Sequence, residues 1–91
     1  MDCSGLTMWS WAHAGVYLPH SSSAQYSAVP HVSFDQLQPG DLLFFYSPIH
    51  HVAIYVGGGQ MIHETHPGTV AHVEGLTSYW MAYYVGAGRP G

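Results

Sequence analysis

Asp2-Cys3-Ser4-Gly5-Leu6 opens the first predicted helix of this 91-residue chain and contains its only cysteine. From Leu6 onward, four side chains follow one another at the three- or four-residue spacing of a stripe along one side of a helix: Leu6, Trp9, His13 and Val16. Asp2 is the predicted N-cap of a helix over residues 3–15 that ends at Gly15. Cys3 then lies in the first turn, where free N–H groups favour an anion. We therefore expect a lowered thiol pKa and a nucleophile; the alternative is an inert core cysteine.

The composition predicts one small globular domain over residues 1–91. Hydrophobic residues make up 47% of the chain and aromatic residues 14%, which suffices for a packed core. Arg89 is the only lysine or arginine against five acidic residues, so we expect no nucleic-acid partner. No apolar run approaches the ~20 residues of a membrane span, so we expect no membrane insertion. One cysteine allows no internal disulfide, and oligomeric state is not predicted.

The order of predicted elements indicates an α+β fold, with helices followed by an antiparallel sheet. A short helix over 23–28 and a single turn over 33–37 follow the first helix, and Ser33 with Gln36 predicts a capping box. Five segments then have the length and composition of strands: 41–46, 51–56, 60–65, 69–73 and 83–85. The first of these is continuously apolar, which predicts a central strand covered on both faces.

Two histidines fall where a cysteine nucleophile needs a base and an orienting group. Alternation puts His51 and Ala53 on one face of their strand. A three-glycine loop centred on Gly58 pairs Val56 with Gln60 and Ala53 with His63. His63 then lies diagonal to His51, with Cβ atoms about 7–8 Å apart. A two- or four-residue loop would instead put His63 on the opposite face.

This geometry predicts a three-residue catalytic arrangement. We expect Cys3, at the start of a helix packed on the same face as His51, to attack the substrate. His51 takes and returns the proton, and His63 fixes the orientation of His51. His50 is expected to point away from this group, and His66 and His72 to be solvated.

A metal site is the alternative use of the histidines. Five of them cluster in one part of the chain: His50, His51, His63, His66 and His72. However, adjacent histidines diverge on a strand, and no His-Glu-x-x-His pattern is present. We therefore expect no metal and no cofactor.

Four segments resemble the NlpC/P60 cysteine peptidases, most of all the mycobacterial and actinobacterial peptidoglycan endopeptidases of the RipA/RipB kind. They are colinear over roughly residues 2–85: Asp2-Cys3-Ser4-Gly5-Leu6, Leu37-Gln38-Pro39-Gly40-Asp41-Leu42-Leu43-Phe44-Phe45, His51-Val52-Ala53-Ile54-Tyr55-Val56-Gly57 and Met61-Ile62-His63. The stretch from Leu18-Pro19-His20-Ser21 to Gln25 is also similar to a family segment.

The resemblance implies a papain-like α+β domain that hydrolyses the amide between D-glutamate and meso-diaminopimelate in peptidoglycan stem peptides. Cys3 matches the nucleophile, His51 the base and His63 the third polar residue. Asp2 and Ser4 match positions that line the pocket and contact the stem peptide. The implied partner is peptidoglycan, and the implied location is secreted, in the cell wall or periplasm, although the chain has no recognisable signal peptide.

The chain lacks the upstream helix and the Tyr-x-Gly-Gly-like segment that precede Asp-Cys in the family. The single domain over 1–91 is therefore expected to be a core without that segment. Its alternative functions are a non-catalytic peptidoglycan-binding module or an inactive fragment of such a peptidase. Another papain-like amidase, such as a phage lysin or a toxin effector, also remains open.

Overall fold

An antiparallel sheet with helices on both faces forms the molecule, and the computed structural model describes residues 2–65 and 70–91. The described helices are α1 (Cys3–Ala12), α2 (Ser22–Ala28) and α3 (Ser78–Tyr83), with a 3-10 turn over Phe34–Gln36. The described strands are β1 (His31–Val32), β2 (Leu42–Phe45), β3 (His51–Gly57), β4 (Gln60–His63), β5 (His72–Gly75) and β6 (Tyr84–Gly88). Their order in the sheet is β1-β6-β2-β3-β4-β5, with every neighbouring pair antiparallel. The predicted α+β class is confirmed.

Strand β2 is buried on both faces, as its continuous apolar run predicts. Leu42 and Phe44 point to the side of α1 and α2 and pack with Val52 of β3. Leu43 and Phe45 point to the other side and pack in the cluster that contains Trp80 of α3. We call these two sides of the sheet the α1 face and the Trp80 face.

A fully buried glutamine joins α2 to the first turn of α1. The side-chain amide of Gln25 donates to the carbonyl oxygens of Ser4, at 3.0 Å, and Pro19, at 2.8 Å. Its Oε1 accepts from the Thr7 hydroxyl at 2.6 Å. Because both amide protons and the oxygen are bonded, this polar group is buried without a large penalty. The bonds fix the helix end that carries Cys3.

An ion pair ties the end of β6 to the start of β2. Arg89 donates from Nε to Oδ1 of Asp41 and from a terminal nitrogen to Oδ2, both at 2.8 Å. The backbone N–H of Gln38 also donates to Oδ2, at 2.9 Å. Asp41 is 2% exposed, and its burial alone would raise its pKa, but Arg89 and Gln38 hold the pKa below the usual value. The chain's one fixed positive charge therefore compensates a buried acid.

Several helix and strand boundaries differ from the sequence predictions. Helix α1 ends at Ala12, before Gly15, because residues 13–15 turn back with the N–H of Gly15 bonded to the Ala12 carbonyl. Ser33 caps its turn without a side-chain hydrogen bond, so the predicted capping box is wrong. Next to the glycine turn a register shift pairs Gln60 with Gly57 instead of Val56.

Two further differences concern the second half of the chain. Helix α3 was not predicted, and it precedes β6, which runs to Gly88 and is longer than the predicted strand over 83–85. Strand β5 begins at His72 and ends at Gly75, whereas the prediction ended at residue 73. The predicted turn at 66–68 and the start of the predicted strand at 69 lie outside the described residues.

Candidate active site

Two histidines meet on the Trp80 face because of the register between β3 and β4. Tyr55 pairs with Met61, and the same register continued by two residues places Ala53 opposite His63, as predicted. His51 lies two residues further along β3. The distance between its ring Nε2 and Nδ1 of His63 is 2.7 Å, and both residues are buried. The predicted pairing of the two imidazoles is thus present in the structure.

The pair is continued by an acid and an indole that sequence analysis did not single out. The ring Nε2 of His63 lies 2.9 Å from Oε1 of Glu74 in β5. The other carboxylate oxygen, Oε2, accepts a hydrogen bond of 2.9 Å from Nε1 of Trp80. Trp80 also stacks on the His51 ring, with centroids 5.3 Å apart. One chain of hydrogen bonds therefore runs from His51 to Trp80.

Cys3 reaches this site from the other side of the sheet. Helix α1 packs on the α1 face, where Cys3 contacts the cluster that contains Val52, and the backbone N–H of Val52 faces the thiol. The expectation that the helix and His51 share a face is wrong. The side chains of β3 are apolar on both faces, and only the packing of α1 decides between them. His51 is the first residue of β3, so Cys3 and His51 meet around the strand end.

Cys3 and His51 line one polar cleft of about 420 Å³. Asp2 and Ser4 line it too, as the resemblance implies, and the wall is completed by seven further residues: Ser21, Ser22, Ser23, Ile49, His50, Glu64 and Thr65. Both residues lie in the described part of the chain, and the Cys3 thiol is not hydrogen-bonded to the His51 ring there. A larger apolar groove of about 710 Å³ lies beside α1 and contains neither Cys3 nor His51.

Asp2 caps α1 as the sequence predicts, and the hydrogen bonds converge on one of its carboxylate oxygens. Its Oδ1 accepts from the backbone N–H of Gly5 at 2.7 Å and from the Ser4 hydroxyl at 3.4 Å. The ring Nε2 of His20 lies 3.1 Å from the same oxygen. The hydrogen bonds from His20 and Gly5 hold the pKa of Asp2 below its usual value. The carboxylate at the mouth of the cleft is therefore ionised near neutral pH.

The Cys3 thiol and the His51 ring are both uncharged near neutral pH. Burial raises the pKa of the Cys3 thiol, and the opposing N–H groups of Val52 and Ser4 do not offset it. The expectation of a lowered thiol pKa is therefore wrong. Burial and the neighbouring His63 lower the pKa of His51 to about 4. A neutral thiol beside a neutral imidazole requires proton transfer during attack, which is general-base catalysis.

His50 borders the cleft, contrary to the expectation that it points away. It precedes β3, so strand alternation does not govern its direction. Its ring stacks on Tyr46 with centroids 4.3 Å apart. Both residues line a second cavity of about 410 Å³ on the other side of His51, together with Thr65, Tyr79 and Trp80. His51 therefore lies between a serine-rich cavity and an aromatic one.

One group among the described residues has the donor atoms for a metal ion. Single ligand atoms of His63, His72 and Glu74 lie within 4.8 Å of one another. Oε1 of Glu74 is 2.9 Å from Nε2 of His63 and 3.4 Å from Nε2 of His72, so hydrogen bonds account for this arrangement without an ion. His72 is exposed as expected, and His66 lies outside the described residues.

The site places a thiol and an imidazole in one cleft, and the imidazole is hydrogen-bonded to a second polar ring. This is the geometry of a nucleophile, a base and an orienting group. The helix–sheet fold that holds them is also that of a known family. The chain belongs to the NlpC/P60 family, whose model matches residues 1–89. The family predicted from the four sequence segments is confirmed.

Individual relatives agree with this assignment. Over 77 residues the chain is 46% identical to the probable endopeptidase Rv2190c of Mycobacterium tuberculosis, covering 85% of this chain and 20% of the relative. The structure of an NlpC/P60 family protein from Bacillus cereus matches 98% of this chain and 31% of that one, with a TM-score of 0.90 and 35% identity. The peptidoglycan hydrolase RipB of Mycobacterium tuberculosis matches with a TM-score of 0.85 and 32% identity, over 97% and 44% of the chains.

The family also includes a member without activity. RipD of Mycobacterium tuberculosis, a non-catalytic NlpC/p60 domain protein adapted to peptidoglycan binding, matches with a TM-score of 0.81 and 34% identity, over 98% of this chain and 66% of RipD. The chain spans about a fifth of the length of the first relatives it matches. No helix in the described part of the chain is long and apolar enough to cross a membrane.

Proposed function

We propose that this chain is the core of a cysteine endopeptidase that hydrolyses the D-glutamyl–meso-diaminopimelate amide of peptidoglycan stem peptides. The observation that carries the proposal is the cleft shared by Cys3 and His51, with His51 bonded to His63 at 2.7 Å. Membership of the NlpC/P60 family supports peptidoglycan as the substrate class. The site of action is then the cell wall or periplasm.

The proposed reaction has two steps. In the first, Sγ of Cys3 attacks the amide carbonyl carbon while Nδ1 of His51 takes the thiol proton. The C–N bond breaks, the leaving amine receives that proton, and an acyl thioester remains on Cys3. In the second step His51 takes a proton from water, the hydroxide formed attacks the thioester carbonyl, and the C–S bond breaks. The departing thiolate recovers the proton from His51, which restores the neutral thiol and imidazole. The backbone N–H of Cys3, at the start of α1, is the proposed donor to the developing oxyanion.

The polar wall of the cleft fits a peptide whose amide groups can form hydrogen bonds with it. We propose Asp2 and Ser4 as substrate-contacting residues, because both border the cavity beside Cys3. Hydroxyl groups of Ser21, Ser22 and Ser23 add donors and acceptors along the same wall. A hydrophobic substrate would leave these groups unpaired, which penalises its binding.

The test is digestion of purified muropeptides followed by mass spectrometry of the products. The chain is expected to release fragments cut at the D-glutamyl–meso-diaminopimelate bond, and Cys3→Ala to release none. His13→Ala, an exposed ring at the other end of α1, is the matched surface control and should cut like the parent. Absence of cleavage by the folded parent chain would refute the proposal, and cleavage at another amide would refute the proposed bond.

A non-catalytic peptidoglycan-binding module is the second candidate, because RipD has a similar fold and is non-catalytic. The retained group of Cys3, His51 and His63 favours the enzyme over this candidate. The two are separated by the same digestion combined with a pull-down on insoluble peptidoglycan. Binding by the parent without any cleavage would favour the module.

A further inference from the structure

Glu74 ends the hydrogen-bond chain that begins at the base. Oε1 lies 2.9 Å from Nε2 of His63 and 3.4 Å from Nε2 of the exposed His72, and Oε2 accepts from Nε1 of Trp80 at 2.9 Å. The bonds from Trp80 and His63 hold the pKa of Glu74 below its usual value, so the group is a carboxylate near neutral pH. A carboxylate only accepts hydrogen bonds, and the indole N–H only donates.

These fixed roles decide which ring nitrogens carry protons. Because Glu74 accepts, Nε2 of His63 must be the protonated nitrogen of that neutral ring. Its Nδ1 is then a bare acceptor, 2.7 Å from Nε2 of His51. His51 must therefore carry its proton on Nε2, which leaves Nδ1 bare. Nδ1 is the atom that has to accept the thiol proton.

We propose that Glu74 is a positioning residue that sets the tautomers of His63 and His51, and that Trp80 keeps its carboxylate in the required orientation. The inference rests on the proposed function to the extent that His51 is taken as the base. The carboxylate touches neither Cys3 nor the cleft that contains it. Glu74 acts through the two imidazoles, and it lies at the opposite end of the hydrogen-bonded series from the reacting thiol.

Replacing Glu74 by glutamine separates this role from a purely structural one. Trp80 donates, so it retains the amide oxygen of the substituted side chain and leaves the amide nitrogen facing His63. That nitrogen donates to Nε2 of His63, whose proton then moves to Nδ1 and points at His51. The hydrogen bonds that join Trp80, the substituted side chain, His63 and His51 are kept, and only the 3.4 Å contact with the exposed His72 ring changes. Nδ1 of His51 nevertheless now carries the proton. The variant is expected to fold normally with a blocked base.

The first test measures the hydrolysis rate of the parent, Glu74→Gln, Trp80→Phe and the double variant. Glu74→Gln is expected to lower kcat about 10- to 100-fold with little change in KM or in thermal midpoint. To restore the active tautomers, the amide oxygen would have to turn from Trp80 to His63, which would leave the indole N–H without an acceptor. In the double variant no indole N–H holds the amide oxygen, so the oxygen can turn to His63. The double variant is therefore expected to be about tenfold more active than Glu74→Gln. Asp35→Asn removes an exposed carboxylate elsewhere and is the matched control.

The second test requires no substrate and no activity. Nitrogen NMR spectra of the histidine rings distinguish protonated from bare ring nitrogens. The parent is expected to have Nε2–H on both His51 and His63, and Glu74→Gln is expected to have Nδ1–H on both. Identical tautomers in the two proteins, or Nδ1–H on His51 in the parent, would overturn the inference. If the tautomers differ between the parent and Glu74→Gln as expected but the parent cuts no stem peptide, the inference stands and the proposed function is refuted.

Discussion

His51 and His63 are joined by a 2.7 Å contact between Nε2 of the first ring and Nδ1 of the second, inside a part of the sheet that water hardly reaches. Both pKa values are lowered, chiefly by burial. Two neutral imidazoles at this distance must act as one donor and one acceptor. His63 therefore restricts both the orientation of the His51 ring and the choice of the ring nitrogen that carries its proton.

Removal of this partner should affect the rate more than the affinity. His63→Ala is expected to lower kcat about 100-fold, the lower end for loss of acid–base function, because His51 can then rotate and change tautomer. Steady-state hydrolysis of a stem peptide measures this effect, and a thermal melt checks the fold. His13→Ala, on the outer end of α1, is the control. A His63→Ala rate within about threefold of the parent would contradict an orienting role.

Cys3 should alkylate as a partly buried thiol with a raised pKa. The apparent pKa of the iodoacetamide reaction is expected at or above the ~8.5 of a free thiol, because burial raises the pKa of Cys3. His51→Ala is expected to leave that value nearly unchanged, since neutral His51 provides no positive charge. An apparent pKa well below ~8.5 that rises in His51→Ala would instead show a preformed thiolate–imidazolium pair.

Much of the fold follows from local patterns in the sequence. The unbroken apolar run at 41–46 predicts a strand covered on both faces, and β2 has both faces buried. The register of β3 and β4 beside Ala53 and His63 also agrees with the prediction, although the predicted pairing of Val56 with Gln60 is wrong. Gln60 pairs with Gly57, and an irregularity between Tyr55 and Gly57 restores the predicted register. These features depend on neighbouring residues along the chain, which is the information that periodicity contains.

The remaining features depend on contacts between distant segments. Val52 and Ile54 are as apolar as Ala53 and Tyr55, so alternation alone does not say which face of β3 receives α1. The predicted strand over 69–73 ends one residue before Glu74, and nothing local marks this acid as the partner of His63. Only the pairing of β4 with β5 brings the two together.

Acid should destabilise the fold through His51. Its pKa is about 4 in the folded chain and ~6.5 when unfolded, so the unfolded state binds more protons between these values. Stability is then complete above about pH 6.5 and falls by about 3 kcal/mol as the pH drops to about 4. Urea unfolding at about pH 7 and about pH 4.5 measures the loss. His51→Gln should remove the part that His51 contributes and leave the part due to His63, whose pKa is also lowered by burial. An equal loss in both proteins would contradict this assignment.

Gln25 should be the most costly polar residue to truncate in α2. Gln25→Ala deletes three hydrogen bonds at a fully buried site and leaves the Thr7 hydroxyl and the Ser4 carbonyl without this partner. The expected loss is about 2–4 kcal/mol in the free energy of unfolding, measured with urea. Ser27→Ala, at an exposed position of the same helix, should change it by less than about 0.5 kcal/mol. Similar losses in both variants would contradict the proposed importance of Gln25.

Arg89 should matter for stability because Asp41 is buried beneath it. Arg89→Met removes the bidentate partner of a 2% exposed carboxylate. The variant is expected to have a lower free energy of unfolding in urea, because the buried Asp41 carboxylate loses its compensating charge; the loss is below that of a fully buried pair, since Arg89 is partly exposed. Arg89→Met combined with Asp41→Asn should recover part of this loss, since no buried charge then remains uncompensated. A double variant less stable than Arg89→Met would show that packing, not charge, dominates.

Cys3 and His51 belong to opposite faces of one sheet and meet only around the first residue of β3. Docking of the helices on one face brings in the thiol, and packing of Trp80 on the other fixes the imidazole. A chain that has completed only one of these layers has no assembled site. Under the proposed function, newly made or damaged molecules would therefore have no activity towards the stem peptide until both layers have formed.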